Sequence, residues 1–294
     1  MSAFSRIAII GFGEVGQILA EDLAKAGVRD LFAYDILFDD AKSIPSRALE
    51  GRHVRRAGSA AAAVRTAELV ICAVTAASDL DAAAAASEGV ERGTLYLDLN
   101  SASPGTKQRA AATVEAAGGR YVEAAVMTPF PPKRIASPML LGGPHAEEFL
   151  ARAAPLGFKG SVFSREIGKA SATKMCRSVM IKGIEALLME SMLTARHYGV
   201  EKTVLESLSD LLPVGDWEKL ARYMISRSLE HGVRRAEEMR EVARTVAEAG
   251  VSPLMSSAAA ERQDWAADRK DALAHEKLGA VLDHILTDID RKRP

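Results

Sequence analysis

Over roughly the first 165 residues, short runs of consecutive apolar residues alternate with amphipathic stretches. The runs Arg6–Gly11 (RIAIIG), Leu31–Asp35 (LFAYD), Glu68–Val74 (ELVICAV), Thr94–Leu99 (TLYLDL), Arg120–Val126 (RYVEAAV) and Pro138–Gly143 (PMLLGG) read as strands, with a weaker one at His53–Ala57 (HVRRA). Strands that are apolar nearly throughout are buried on both faces, and their alternation with helices implies a parallel sheet. The pattern changes near Ser171, and beyond it the periodicity is helical. Helices are predicted over Ala172–Tyr198, Lys202–Leu212, Trp217–Leu229, Arg234–Ala249, Ser252–Asp268 and Ala274–Asp290. The first is apolar on most sides, which predicts burial in a domain core or at a subunit interface, and hence a homodimer. The expectation is a doubly wound α/β domain over residues 1–167 and an all-helical domain over 168–294, the boundary falling within Glu166–Ser171.

Composition narrows the function classes. The formal net charge of the 294 residues is -1, so no overall basic field draws nucleic acid to the chain. The two cysteines, Cys72 and Cys176, stand far apart in no metal-ligand or redox spacing. They read as reduced, small apolar residues, and no metal-ligand set is expected. Nothing before the first strand carries the pattern of a signal peptide, and no apolar run approaches the ~20 residues that span a bilayer. A soluble, cytoplasmic protein is expected.

The first strand runs into Gly11-Phe12-Gly13-Glu14-Val15-Gly16 and then a helical pattern. This is a GxGxxG loop in the context that gives it meaning. Gly11 permits the tight turn, Gly13 lets a pyrophosphate approach the backbone, and Gly16 lets helix and strand pack closely. Nineteen residues after Gly16, Asp35 ends the next strand. A carboxylate there accepts hydrogen bonds from an adenosine ribose and repels a 2′-phosphate, which favours NAD over NADP. The first domain is therefore expected to be Rossmann-type, with residues 11–16 and Asp35 binding the dinucleotide.

Two further strand ends carry polar groups where ligands of open α/β sheets sit. Asn100 and Ser101 follow the strand Thr94–Leu99, and Ser103-Pro104 reads as a helix N-cap. Asn100 is assigned to the cofactor, while Ser101 can face a ligand or serve the turn. Val74, Thr75 and Ala76 end another strand and would line the nicotinamide side, with Ser78 a candidate N-cap. At the domain boundary, GKASATKMCRSVMIKG (Gly168–Gly183) places Lys174 among small residues. A lysine there can lie solvated along an apolar surface or act as an acid–base group.

Together the glycine loop, the DLNSASP strand end (Asp98–Pro104) and the GKASATKMCRS helix start resemble the β-hydroxyacid dehydrogenases, which include 3-hydroxyisobutyrate dehydrogenase and, more distantly, 6-phosphogluconate dehydrogenase. The resemblance implies a Rossmann-type domain and an all-helical domain joined by a long helix, with the family's active site in the cleft between them. It also implies that Lys174 is the essential lysine, the general acid in carbonyl reduction and the base in alcohol oxidation, with Ser101 holding the substrate. Ser178, four residues after Lys174, stands near the family's asparagine position. The family's glycine-rich substrate loop is replaced by VMTPFPP (Val126–Pro132), whose prolines offer no N–H. Met127 and Thr128 in that loop, and His231 and Arg234 in a later helix, are the substrate-binding candidates; an arginine could take over a carboxylate with a bidentate pair. Trp217 reads as core.

The function implied is NAD-dependent hydride transfer to or from a small hydroxy acid. Imine reduction and dinucleotide binding without turnover are the alternatives. A hydroxy acid, a keto acid and a cyclic imine assayed by NADH absorbance discriminate among them.

Overall fold

The computed structural model describes residues 4–291 except 52, 210–212 and 214. The chain divides into two compact units, Met1–Met175 and Cys176–Pro294. Among the described residues the first unit holds an eight-stranded sheet in the order β3-β2-β1-β4-β5-β6-β7-β8. The strands are β1 Arg6–Ile10, β2 Asp30–Tyr34, β3 Arg55–Arg56, β4 Leu69–Cys72, β5 Leu95–Asp98, β6 Arg120–Val126, β7 Met139–Gly142 and β8 Gly160–Ser164. The helices of this unit are α1 Glu14–Lys25, α2 Ile44–Leu49, α3 Ala60–Val64, α4 Asp79–Ser87, α5 Pro104–Ala116, α6 Phe130–Lys133 and α7 Ala146–Ala153, followed by the start of α8 Lys169–His197.

Alternation along each strand sends side chains to opposite faces. Ile7, Ile9, Leu69, Ile71, Leu95 and Leu97 join Leu19 and Leu23 of α1 in one buried layer. Ala8, Ile10, Val70, Cys72 and Tyr96 join the small residues of α3, α4 and α5 in the other. Both faces are covered, which is why these strands are continuous apolar runs. Ser103 accepts from the Thr106 N–H at 3.2 Å and caps α5, as its place before Pro104 predicts. Ser78 precedes α4, but its hydroxyl makes no cap; it lies 3.3 Å from Thr75 Oγ1 instead.

The sheet departs from an all-parallel one at its far edge. β7 runs antiparallel to β6 and parallel to β8. Between β6 and β7 the chain forms only the one-turn α6 and a 3-10 turn at Arg134–Ala136. A parallel return needs a crossover of a dozen or more residues with a helix to span the sheet, so the chain turns straight back. The turn is anchored to α1. Arg134, in the left-handed region at φ 53°, pairs with Glu21 and Asp22, and Asp22 also accepts from the Ile135 N–H.

The second unit is helical: the rest of α8, then α9 Glu201–Leu208, α10 Trp217–Glu248, α11 Leu254–Ala267 and α12 Leu278–Arg291. The predicted end of the second helix at Leu211-Leu212 lies outside the described residues. Trp217 is buried in the core of this unit with Leu188, Met189, Met192, Ile225, Val281 and Ile285. Two predicted helices, Trp217–Leu229 and Arg234–Ala249, are one element kinked at His231 (φ -122°, ψ 19°). Next to the kink, a Cβ on Gly232 would lie 2.5 Å from the Gln263 carbonyl oxygen, so α10 and α11 approach at a glycine. Helix α8 is not buried all round. Its Leu188, Met189, Met192 and Leu193 are buried, whereas Met180, Ile181 and Leu187 are exposed. Cys176 is also exposed rather than interior; Cys72 is buried, and both are free.

Candidate active site

The sheet order reverses between β1 and β4, and this is the switch point at which α/β sheets form a ligand crevice beyond their strand ends. The glycine loop lies there. A Cβ on Gly11 would lie 2.4 Å from the Ala73 carbonyl oxygen and 2.9 Å from Val74 Cγ1, and Gly11 itself adopts φ +90°. A Cβ on Gly16 would stand 2.1 Å from the Gly11 carbonyl oxygen. At Gly13 nothing lies within 4 Å of the Cβ position, and Gly13 caps α1 without a side-chain hydrogen bond. The loop is thus closed against protein at two glycines and open at the third, beside the N-terminus of α1, where a helix's first N–H groups have no partner within the helix. That is the shape a pyrophosphate requires. Gly13→Ala is expected to leave the melting temperature nearly unchanged and to weaken NADH binding by at least about tenfold, because the added methyl has no protein atom within 4 Å and occupies ligand space. Thermal melts and fluorescence titration check both halves.

Phe12 is fully buried against Phe38, so it offers its backbone alone, while Glu14 is exposed and Val15 half-buried. Asp35 braces the loop: its carboxylate accepts from the Phe12 N–H at 2.7 Å and from the Leu37 N–H at 2.9 Å. Each carboxylate oxygen retains a second lone-pair direction for a ribose hydroxyl.

At the next strand ends Val74, Thr75 and Ala76 follow β4, and Asn100 and Ser101 follow β5. Asn100 is buried, and its amide bonds protein on both sides: Oδ1 accepts from the Val74 N–H at 2.8 Å and Nδ2 donates to Asp79 Oδ1 at 2.9 Å. Ser101 is half-buried, and its Oγ accepts from Lys174 Nζ at 2.5 Å. Two residues 73 positions apart in sequence thus form one polar pair at the sheet's carboxyl edge.

The helix that carries Lys174 is fixed by a residue sequence reasoning missed. Glu123, fully buried on β6, accepts from the Gly168 N–H at 2.6 Å and from the Ser171 N–H at 2.5 Å, the first turn of α8. A carboxylate at a helix N-terminus satisfies orphan donors and complements the dipole. Its one sequence signal is an acid inside an otherwise apolar strand, YVEAAV.

In the loop after β6, the Met127 N–H donates to the Pro138 carbonyl at 3.1 Å, and the Thr128 hydroxyl is buried without a hydrogen-bond partner. The loop's one hydroxyl is therefore enclosed rather than offered, and Pro129, Pro131 and Pro132 lack the N–H that a glycine-rich loop would present. Ser178, His231 and Arg234 belong to the second unit. Ser178 is half-buried one turn along α8 from Lys174. His231 stands at the α10 kink, 3.4 Å from Glu230, and Arg234 is exposed, paired with Glu238 at 3.2 Å. Glu238 also holds the buried Lys182. Among the described residues no group of three or more His, Cys, Asp or Glu side chains could hold a metal ion.

The NAD binding domain of 6-phosphogluconate dehydrogenase matches residues 6–155, and a domain of unknown function, DUF1932, matches residues 195–266. A conserved hypothetical protein of Sinorhizobium meliloti is 34% identical, with 97% of each chain covered and a TM-score of 0.73. A second protein of unknown function, described as structurally similar to 3-hydroxyacid dehydrogenases, is 33% identical over 90% of this chain and 97% of its own, with a TM-score of 0.69. The chain belongs to the β-hydroxyacid dehydrogenase family. At 20% identity, Mycobacterium tuberculosis 3-hydroxyisobutyrate dehydrogenase shares the fold over 97% of this chain and 99% of its own, with a TM-score of 0.70. As a divergent member of this family, the chain keeps a complete dinucleotide loop and carries the domain of unknown function within its second unit.

Proposed function

We propose that this protein is an NAD-dependent oxidoreductase that interconverts a small hydroxy acid and its aldehyde or keto form, with Lys174 as the proton-transfer group. The observation that carries the reading is the Lys174 Nζ–Ser101 Oγ hydrogen bond at the end of β5, beside the loop that holds Val74 against Gly11. When bound, the dinucleotide donates the hydride in reduction or accepts it in oxidation. Ser101 orients the substrate oxygen. In reduction Lys174 gives its Nζ proton to that oxygen; in oxidation the neutral amine takes the proton from the hydroxyl. Ser178 stands one turn on along the same helix as a second polar contact.

Asp35 supports NAD over NADP, because its carboxylate repels a 2′-phosphate. Arg56 on the neighbouring strand does not offset this charge, since it pairs with Asp39. The cationic candidates for a substrate carboxylate are Arg234 and His231 of the second unit. The exposed Met180 and Leu187 on α8 support a homodimer, and two free cysteines suit a reducing cytoplasm.

A panel of small hydroxy acids and their keto or aldehyde forms, run with NAD and NADP in parallel, tests the reading. Turnover of a hydroxy acid with NAD, at least about tenfold more efficient than with NADP, is expected. NADH binding without turnover on the whole panel, or reduction of a cyclic imine in its place, overturns it.

A further inference from the structure

Beneath the strand ends lies a buried polar network that proton transfer does not use. Asp79 at the start of α4, Asp98 at the end of β5 and Lys107 in α5 are all fully buried. Lys107 Nζ stands 2.5 Å from Asp98 Oδ1 and 3.7 Å from Asp79 Oδ2. The Tyr121 hydroxyl donates to Asp98 Oδ2 at 2.5 Å. Asn100 sits where this network meets the site. Its backbone N–H donates to Asp98 Oδ1 at 2.9 Å, its Nδ2 donates to Asp79 Oδ1 at 2.9 Å, and its Oδ1 accepts from the Val74 N–H at 2.8 Å.

An acceptor on one side and a donor on the other leave this amide one orientation. Turned over, its NH2 would face an N–H and its oxygen would face a carboxylate. The orientation matters because of what each end holds. Val74 lies against Gly11 of the dinucleotide loop. Ser101, the next residue after Asn100, accepts from Lys174.

We propose that Asn100 is a positioning residue, oriented by Asp79, that holds the dinucleotide loop at Val74 and the Ser101–Lys174 pair in one fixed register. The inference rests on the oxidoreductase reading and adds to it a fully buried residue, Asp79, that has no surface to offer a ligand. Losing the Asp79–Asn100 bond leaves buried polar groups unpaired and frees the amide to turn, which loosens both loops.

The test measures NADH binding by fluorescence titration, with turnover followed separately on any substrate found. Asn100→Ala and Asp79→Leu are each expected to weaken NADH binding about tenfold, and the double variant no more than either single one. Asp79→Asn keeps an oxygen to accept from Asn100 Nδ2 and is expected to bind within about twofold of the wild type. Asn100→Asp, measured at pH 9 where Asp79 has lost its proton, keeps the acceptor toward Val74 but sets an oxygen against a carboxylate, and is expected to lose as much as Asn100→Ala. Wild-type binding by a folded Asp79→Leu variant, or additive losses in the double variant, overturns the proposal. Should Asp79→Leu fail to fold, Asn100→Asp decides alone, since wild-type affinity there contradicts the coupling. Binding is read without turnover, so an inactive substrate panel does not obscure the result.

Discussion

Lys174→Ala is expected to lower kcat by about 10²–10⁴-fold while leaving the NADH dissociation constant within about twofold. The size follows from the role. A positioned proton donor contributes that range, and the side chain contributes nothing to the pyrophosphate or ribose contacts made at Gly11–Gly16 and Asp35. Lys174→Arg sharpens the test. The guanidinium keeps the charge and the reach to Ser101 but does not release a proton near neutral pH. If Lys174 acted only as a fixed charge, arginine would retain most of the rate; as a proton-transfer group, arginine is expected to fall nearly as far as alanine. Ser101→Ala removes the hydroxyl that accepts from Nζ and is expected to raise the substrate KM and to shift the kcat pH profile, because the amine loses its neutral partner. Steady-state kinetics across pH with the substrate identified by the panel, beside a separate NADH titration, provide both readouts. A Lys174→Ala variant with wild-type kcat would return this residue to the solvated lysine that its own stretch of sequence equally allows.

The features legible in the sequence were those with a local cause. β1, α1 and the glycines between them are set by adjacent residues, and β4, β5 and β6 by runs of apolar side chains. β8 was missed because Gly160–Ser164 is a sheet-edge strand in which Val162 and Phe163 are exposed, so no buried run marks it. The strand β7 is legible at Pro138–Gly143, but its antiparallel sense is not, because an apolar pattern is the same in either direction; the shortness of the turn before it decides the sense. The break at His231 was read as two helices, since a kink and a loop interrupt periodicity alike. In the site, Lys174 and Ser101 were each marked by motif context, and the structure adds that they touch. Asp79, Lys107 and Glu123 carry no such mark, and Asp98 stands in the DLNSASP motif with no role attached. Charged residues in helices and at strand ends are usually solvated, and only the packing of α4 and α5 against the sheet encloses Asp79, Asp98 and Lys107. Asn100 was assigned to the cofactor on its position at a strand end. Its side chain bonds Val74 and Asp79, partners that three-dimensional neighbours alone define.

Asp79→Asn is expected to raise stability above neutral pH, although it removes a native charge from a buried ion-pair network. Asp79, Asp98 and Lys107 together hold two carboxylates and one ammonium with no access to water. Burial, and then the charge of Asp98, raise the Asp79 carboxyl from 3.8 to about 7, while Lys107 and the Asn100 hydrogen bond act the other way. Burial pulls the Lys107 pKa down, yet Asp98 and then Asp79 hold it above the ordinary value, so it stays an ammonium at neutral pH. Between pH 3.8 and about 7 the folded chain therefore binds a proton at Asp79 that the unfolded chain has lost. Stability that is fully present below the lower value falls as pH rises to the upper one. The shift corresponds to a loss on the order of 4 kcal/mol at most, less whatever the coupled groups take up. An asparagine has no proton to lose, keeps an oxygen for Asn100 and sets an amide toward Asp98, leaving Lys107 one carboxylate to neutralise. Denaturant melts at pH 5 and pH 8 are expected to show the wild type losing stability across that interval and the variant holding level, so that the variant is the more stable protein at pH 8. A wild type and variant with parallel pH profiles would mean that Asp79 is already ionised in the fold at pH 5, and that the network carries its net negative charge without a proton.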